Sequence, residues 1–267
     1  MHLPANLRYR KPSLRQLTSS TGRRWAMRRQ VLAWLLTQHP HPSGFSCEVA
    51  TALQHDQADV AAFWSAPRNV GSRRQLEPVR TVVVVVALTR EECYAVGINP
   101  EALQNELRYT RRQLLRLQET IRRTEPYLRD DGVLFEEYAE WHYDKSQNAE
   151  YQELRRACKK LEEQLFHGTR MERMSRNVVA DECYLAVPEG VLLRDEAPPG
   201  WGLLVVPPSG DYGYGNAILE CPATPQACAP MTRLHLVQNI ALTAGECVQT
   251  VLRLRKKKLS IHQKRPR

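Results

Sequence analysis

The sequence predicts an α/β fold, a central mixed sheet flanked by helices, with an inserted α-helical hairpin. Three observations carry this prediction. Residues 81–88 include five consecutive valines, so a strand here has no polar face and must be covered on both sides. Two apolar runs, 45–52 and 58–64, precede it as neighbouring strands, and strand character returns at 181–191 and 198–206. Between these blocks, residues 99–167 abandon the α/β rhythm for helical spacing.

Residues 1–20 show no period and read as a flexible basic arm. A helix is expected over 22–37, with Trp25, Leu32, Leu35 and Leu36 as its apolar face and Arg23, Arg24, Arg28 and Arg29 around the rest. The Pro-rich run 39–44 ends it, and His39 and His41 within it read as loop residues. Glu48 lies inside the first strand and Asp59 near the start of the second, with a hairpin turn at 54–57. Residues 65–80 read as an exposed loop whose Arg68, Arg73, Arg74 and Arg80 are candidate phosphate contacts. After the valines, Thr89 as cap and Glu92 three residues later predict a capping box and a short helix.

Asn99-Pro100-Glu101 is a strong helix start. Leu103, Leu107, Thr110, Leu114, Leu117 and Ile121 then follow a coiled-coil seam with one polar position. After a break at 126–132, Tyr151, Leu154, Cys158, Leu161 and Leu165 repeat the spacing. An antiparallel hairpin follows, suited to dimerisation, to clamping a duplex, or to packing on its own domain. Residues 207–230 read as loop, and a last helix over 243–258 closes on Arg253, Arg255, Lys256, Lys257 and Lys258. The expected organisation is a basic arm at 1–20, a discontinuous core at 21–98 and 176–247, the hairpin at 99–175, and a basic end at 248–267.

A Glu-Val strand, a Gln-Ala-Asp-Val strand and an all-apolar strand ending in Thr-Arg-x-Glu together resemble the PD-(D/E)XK nuclease superfamily, in particular its MmcB-like bacterial branch of DNA repair proteins. A second block, Ala180-Asp181-x-x-Tyr184-x-Ala186-Val187-Pro188-Glu189-Gly190-Val191 followed by Pro198-x-Gly200-Trp201-Gly202-Leu203-Leu204, resembles the later strands of that family. The resemblance covers about half the chain and implies a restriction-endonuclease-like core and an association with DNA. It assigns a metal and catalytic role to Asp59 and places the Glu-x-Lys motif on Val85 and Ala87, neither of which can perform that chemistry.

Charge is distributed unevenly. Net charge is +9, yet residues 1–47 hold eight Lys/Arg and no acid, and residues 248–267 hold eight more, again with no acid. The middle, 48–247, has 22 basic residues against all 29 acids. Two cationic ends on an acidic body are a common footprint of polyanion binding. Seven cysteines without a CxxC pair read as reduced thiols of a cytoplasmic protein, and no run of 18 apolar residues spans a membrane. Phosphate-loop, dinucleotide and zinc-protease motifs are absent, and the glycines of 210–215 lack a strand–helix frame.

The sequence thus predicts a DNA-binding protein of repair, recombination or mobile-element processes, on a nuclease-like fold with degenerate catalysis. Its nucleic-acid contacts are expected at Arg23, Arg24, Arg28, Arg29, Arg73, Arg74, Arg253, Arg255 and Lys256 to Lys258. The competing expectation is a Mg²⁺- or Mn²⁺-dependent deoxyribonuclease using Asp59, Glu48 and a displaced carboxylate such as Glu91 or Glu92. A third is a scaffold that recruits a protein partner, or a second copy, through the hairpin.

Overall fold

In the computed structural model of the chain, residues 19–51, 56–70, 73–129, 140–209 and 213–263 are described, with backbone alone for 70, 73, 74, 213 and 250–263. They divide into two units, one from residues 1–92 with 170–267 and one from 93–169. The expected boundaries, 98/99 and 175/176, lie six residues further along the chain in each case.

The larger unit is built on a six-stranded mixed sheet in the order β1-β2-β3-β4-β5-β8. Helix α1 (Ser20–Leu36) starts on Ser19, whose side chain accepts the Gly22 N–H. Strands β1 (Gly44–Ala50), β2 (Gln57–Val70) and β3 (Arg73–Val86) are antiparallel neighbours. After the smaller unit come α4 (Arg170–Arg176), then β4 (Glu182–Pro188) and β5 (Gly202–Val206), both parallel to β3. Two short strands, β6 (Pro208–Ser209) and β7 (Gly213–Tyr214), pair with each other, β8 (Ile218–Cys221) closes the sheet against β5, and α5 (Pro230–Gln263) ends the described chain.

Val82 to Val86 are all essentially inaccessible, as a strand with no polar face requires. On one side Val82, Val84 and Val86 form a core with Val60, Ala62, Trp64, Tyr184, Ala186 and Leu204, closed by Met27, Val31 and Leu35 of α1. At the β1 side of the sheet α5 packs with buried Leu236 and Ile240, and Asn239 donates to the Ala50 carbonyl (2.8 Å). The start of α5 is tied down by Arg233, which grips Asp181 (2.6–3.0 Å) while the same carboxylate accepts the Thr81 N–H and hydroxyl. That ionic clamp fixes α5 to the middle of β3 and the entry of β4.

Several expectations are corrected. Residues 65–80 are not a loop: they are the outer half of the β2–β3 hairpin, with Ser65 to Val70 paired to Arg73 to Pro78. Arg68 pairs with Glu77 (2.8 Å), and Arg80 grips Glu182 (2.5 and 2.9 Å) while stacking over Trp64. Cross-strand pairing of this kind lets a charged, Pro-containing stretch serve as a strand. Residues 207–230 contain β6, β7 and β8, and the last helix begins at Pro230 rather than 243. The helix after Thr89 is one 3-10 turn, Glu91–Cys93, with Glu92 reaching back to the Leu88 N–H (3.1 Å). The buried face of α1 is Met27, Val31 and Leu35, while Leu36 is exposed. Of the expected arm at 1–20, residues 1–18 lie outside the described residues, while Ser19 and Ser20 cap and begin α1; of the expected turn at 54–57, residues 54 and 55 lie outside them and Gln57 begins β2.

The smaller unit is the expected helical hairpin. Helix α2 (Pro100–Thr124), capped by Asn99, lies against α3 (Ala149–Phe166), capped by Asn148. Leu107, Thr110 and Ile121 are buried from α2, and Tyr151, Cys158, Leu161 and Leu165 from α3. Contacts run in opposite directions, Arg111 with Glu162 (2.9 Å) and Gln118 with Tyr151 (3.1 Å), so the helices are antiparallel. Near the turn Glu125 accepts from the Gln147 N–H (2.9 Å), Ser146 hydroxyl (2.7 Å) and Tyr127 hydroxyl (2.9 Å). These donors, the Gln147 amide foremost, hold its carboxyl below the usual range.

Burial pushes the Cys183 thiol of β4 up to about 12 and, with Glu182 beside it, the Tyr184 phenol up to about 12. Both groups are therefore kept protonated by the fold, against reference values of 9.0 and 10.0 for the unfolded chain. Their contribution is intact below about pH 9 and is lost as pH rises toward 12. Melting temperature should stay level through neutral pH and fall from pH 9 upward, less steeply in Tyr184→Phe. An equally steep fall in that variant would remove Tyr184 from the explanation.

Candidate functional site

The strongest concentration of buried charge lies where α1, β2 and α4 meet the end of β3. Asp59 of β2 is only 1% exposed, so its carboxylate must be neutralised or fully hydrogen-bonded. Arg28 donates Nε and Nη2 to Oδ1 (2.8 and 2.6 Å). Arg170, the first residue of α4, donates Nη2 to Oδ2 (2.8 Å), which also accepts the Val86 N–H (2.9 Å). Arg24 stands 3.9 Å from Oδ1 and donates to the Val86 carbonyl.

The second layer of partners is acidic and more exposed. Arg28 gives Nη1 to Glu48 (2.6 Å), and Arg24 gives Nη2 to Glu92 (2.7 Å). The cluster therefore holds three guanidiniums against three carboxylates. Burial opposes the charge on Arg28, but Asp59 and then Glu48 outweigh it, and its pKa lies above the ordinary arginine value. One step along, Arg173 of α4 grips buried Asp56 (2.8 and 2.6 Å). Arg170 and Arg173 on α4 thus match Asp59 and Asp56 at the same three-residue spacing.

Glu48 occupies an unusual backbone position. Cys47 pairs with Val60 and Val49 with Ala58, so Glu48 is opposite Asp59 in register, yet that rung of the ladder is missing and Glu48 has φ of 58°. A non-glycine residue there is strained by about 1–3 kcal/mol. Two carboxylates directly opposite on antiparallel strands repel each other. Arg28 bridges them, which relieves the repulsion and explains how both are kept.

The sequence-predicted site residues divide accordingly. Asp59 and Glu48 are brought together, through Arg28. Val85 and Ala87 line the same cleft, of about 390 Å³, with Arg24, Arg28, Glu92, Arg170 and Met171. Arg24 and Arg28, expected among the nucleic-acid contacts, are part-buried and turned toward Asp59, Glu48 and Glu92. Arg23 and Arg29 are exposed, Arg29 lying over Trp25 (5.0 Å). The side chains of Arg73, Arg74, Arg253, Arg255 and Lys256 to Lys258 lie outside those described. Sequence reasoning missed Arg170, Arg173 and Asp56. The signal for the helical pair was an i, i+3 arginine spacing on a helix whose inner face is Met171 and Met174.

This arrangement does not suit a divalent cation. Both oxygens of Asp59 are taken by guanidinium and amide donors, and a second positive centre at about 4 Å repels a unit charge by about 4 kcal/mol at an effective dielectric near 20. Among the described residues no group of three or more His, Cys, Asp or Glu gathers at ligand spacing. Chemically the cluster is a lock: it ties α1, β1, β2, the end of β3 and α4 to one carboxylate.

Asp59→Ala would leave three arginines facing one another, and should lower stability by about 3–5 kcal/mol in urea denaturation. Glu48→Gln, at a partner 63% exposed, should cost no more than about 1 kcal/mol. Unchanged or raised stability in Asp59→Ala would mean that the carboxylate is not held as described.

No protein-family model matches the chain, and no curated protein matches it. Among solved structures it is similar to SPO1766, a protein of unknown function from Silicibacter pomeroyi, at 14% identity over 84% of this chain and 87% of that one, with a TM-score of 0.35.

Proposed function

We propose that this chain is a DNA-binding protein of repair, recombination or mobile-element processes, built on a PD-(D/E)XK-like core whose cleavage site has become an arginine–carboxylate lock. The observation that carries this reading is the capture of Asp59 by Arg28, Arg170 and the Val86 amide, with Val85 and Ala87 lining the cleft beside it. In that family the equivalent Asp holds a metal ion, and the two following positions supply a carboxylate and a lysine. Here the positive charge beside the Asp is covalently part of the protein. Such a site has no exchangeable ion to polarise a phosphodiester or activate water.

The order of elements supports the reading: a helix, three antiparallel strands carrying Glu48, Asp59 and the valines, then two strands parallel to the third. The cationic ends, each with eight basic residues and no acid, supply the electrostatic attraction. The nuclease alternative needs a carboxylate to move in beside Asp59. Glu48 and Glu92 are the nearest, and each is engaged by an arginine of the same cluster.

Incubated with labelled single- and double-stranded DNA and Mg²⁺ or Mn²⁺, the protein should retain DNA without cutting it. Affinity should fall steeply with salt, by about 0.9 log unit per log unit of salt for each phosphate contacted on duplex. Cleavage that co-purifies with the chain and is lost in folded Asp59→Asn would overturn the silent-site reading. Absence of salt-sensitive binding would overturn the DNA reading.

A further inference from the structure

We infer that the outward face of helix α2 docks the phosphate backbone of a nucleic-acid duplex. The inference rests on the DNA reading above and adds a surface that the cationic ends and the Asp59 cluster do not include. Along α2 the buried residues are Gln104, Leu107, Thr110 and Ile121. At 100° per residue, Arg112 stands opposite Ile121, with Arg108, Arg116 and Arg123 within about 40° of it. The four span about 22 Å of helix at 1.5 Å per residue. Arg112, Arg116 and Arg123 are exposed, and the large side chains beside them, Tyr109 and Leu115, are 59% and 61% exposed.

Composition alone does not produce this stripe. Residues 93–169 hold twelve Lys/Arg against fourteen acids, yet the outward face of α2 from Arg108 to Arg123 holds four arginines and a single acid, Glu119. The arginines of α2 also sort by position. Arg111, on the flank toward α3, pairs with Glu162 (2.9 Å), and Arg122 donates to the Tyr143 hydroxyl (2.5 Å) and lies over Trp141 (5.7 Å). Among the described residues, Arg112, Arg116 and Arg123 enter no ion pair, and Arg112 bonds only along its own helix, to the Arg108 carbonyl (3.3 Å). Guanidiniums present planar donor forks that match phosphate oxygens. A helix carrying them on one face complements a stiff polyanion, with one phosphate per about 1.7 Å of duplex axis. Contacts of this kind to phosphate oxygens fix position on the duplex and by themselves carry no base reading.

The test compares the full-length protein with an Arg112→Gln, Arg116→Gln, Arg123→Gln variant and its Lys counterpart, titrating duplex and single-stranded oligonucleotides over a range of salt. Melting curves of both variants should match the parent, since the three side chains are solvent-facing. The Gln variant should lower the duplex salt slope by about 2.7, and duplex affinity at 0.15 M salt by roughly tenfold or more, with most of both retained by the Lys variant. An unchanged slope in a parent that binds DNA would overturn the α2 surface and leave the DNA reading standing. A parent with no salt-dependent binding would overturn both. A change confined to single strands, or dissociation of a dimer in sedimentation with the duplex slope unchanged, would assign the face to another partner and overturn the proposal.

Discussion

A carboxylate sealed beneath the surface cannot keep its charge without partners, and Asp59 sets that requirement for the larger unit. Removing a charge from water costs several kcal/mol, so the elements around it have to deliver donors to two oxygen atoms. Arg28 and Arg24 arrive one helical turn apart on α1, Arg170 arrives at the start of α4, and the last residue of β3 contributes its amide. Together they fix α1, α4 and the end of β3 around one carboxylate. The packing of Met27, Val31 and Leu35 on the sheet then occurs on the same face of α1 that carries the arginines, so hydrophobic and ionic registration coincide. A buried ionic network of this type contributes less to net stability than to specifying one arrangement of helices over others.

The same principle separates the arginines of this chain into two populations. One is structural: Arg28, Arg80, Arg90 (on Glu196), Arg173 and Arg233 each grip a carboxylate through two donor contacts, joining segments distant in sequence. The other is turned to solvent, as Arg112, Arg116 and Arg123 are on the hairpin. Net charge therefore misleads as a guide to binding here. What matters is which guanidiniums have already been neutralised by the fold.

Much of the fold was legible because its signals were local. Five valines with no polar face forced a doubly covered strand, Asn99-Pro100 marked the start of α2, and the 3-4 spacing of Leu107, Thr110 and Ile121 marked its buried seam. The outer β2–β3 hairpin was not legible, because its strand character comes from pairing between charged residues such as Arg68 and Glu77 rather than from apolar alternation. The edge strand β8 was missed for a similar reason: Ile218, Leu219 and Glu220 are all exposed and show no period. At the site, Asp59 and Glu48 were found, but the direction of Arg24 and Arg28 was not. Composition puts arginine outside by default, and only the partner 31 residues away draws Arg28 in. Arg170 lies 111 residues from Asp59, beyond any local pattern.

The positive charge that faces Asp59 is supplied by the protein's own arginines. Crystals equilibrated with Mn²⁺ and measured at the manganese absorption edge test this directly, since the ion's anomalous signal reports its position without reference to activity. No manganese peak is expected within about 2.5 Å of the Asp59 oxygens, with the Arg28 and Arg170 guanidiniums in place. A peak bridging Asp59 and Glu48, with Arg28 swung aside, would show instead that the carboxylates hold a metal ion.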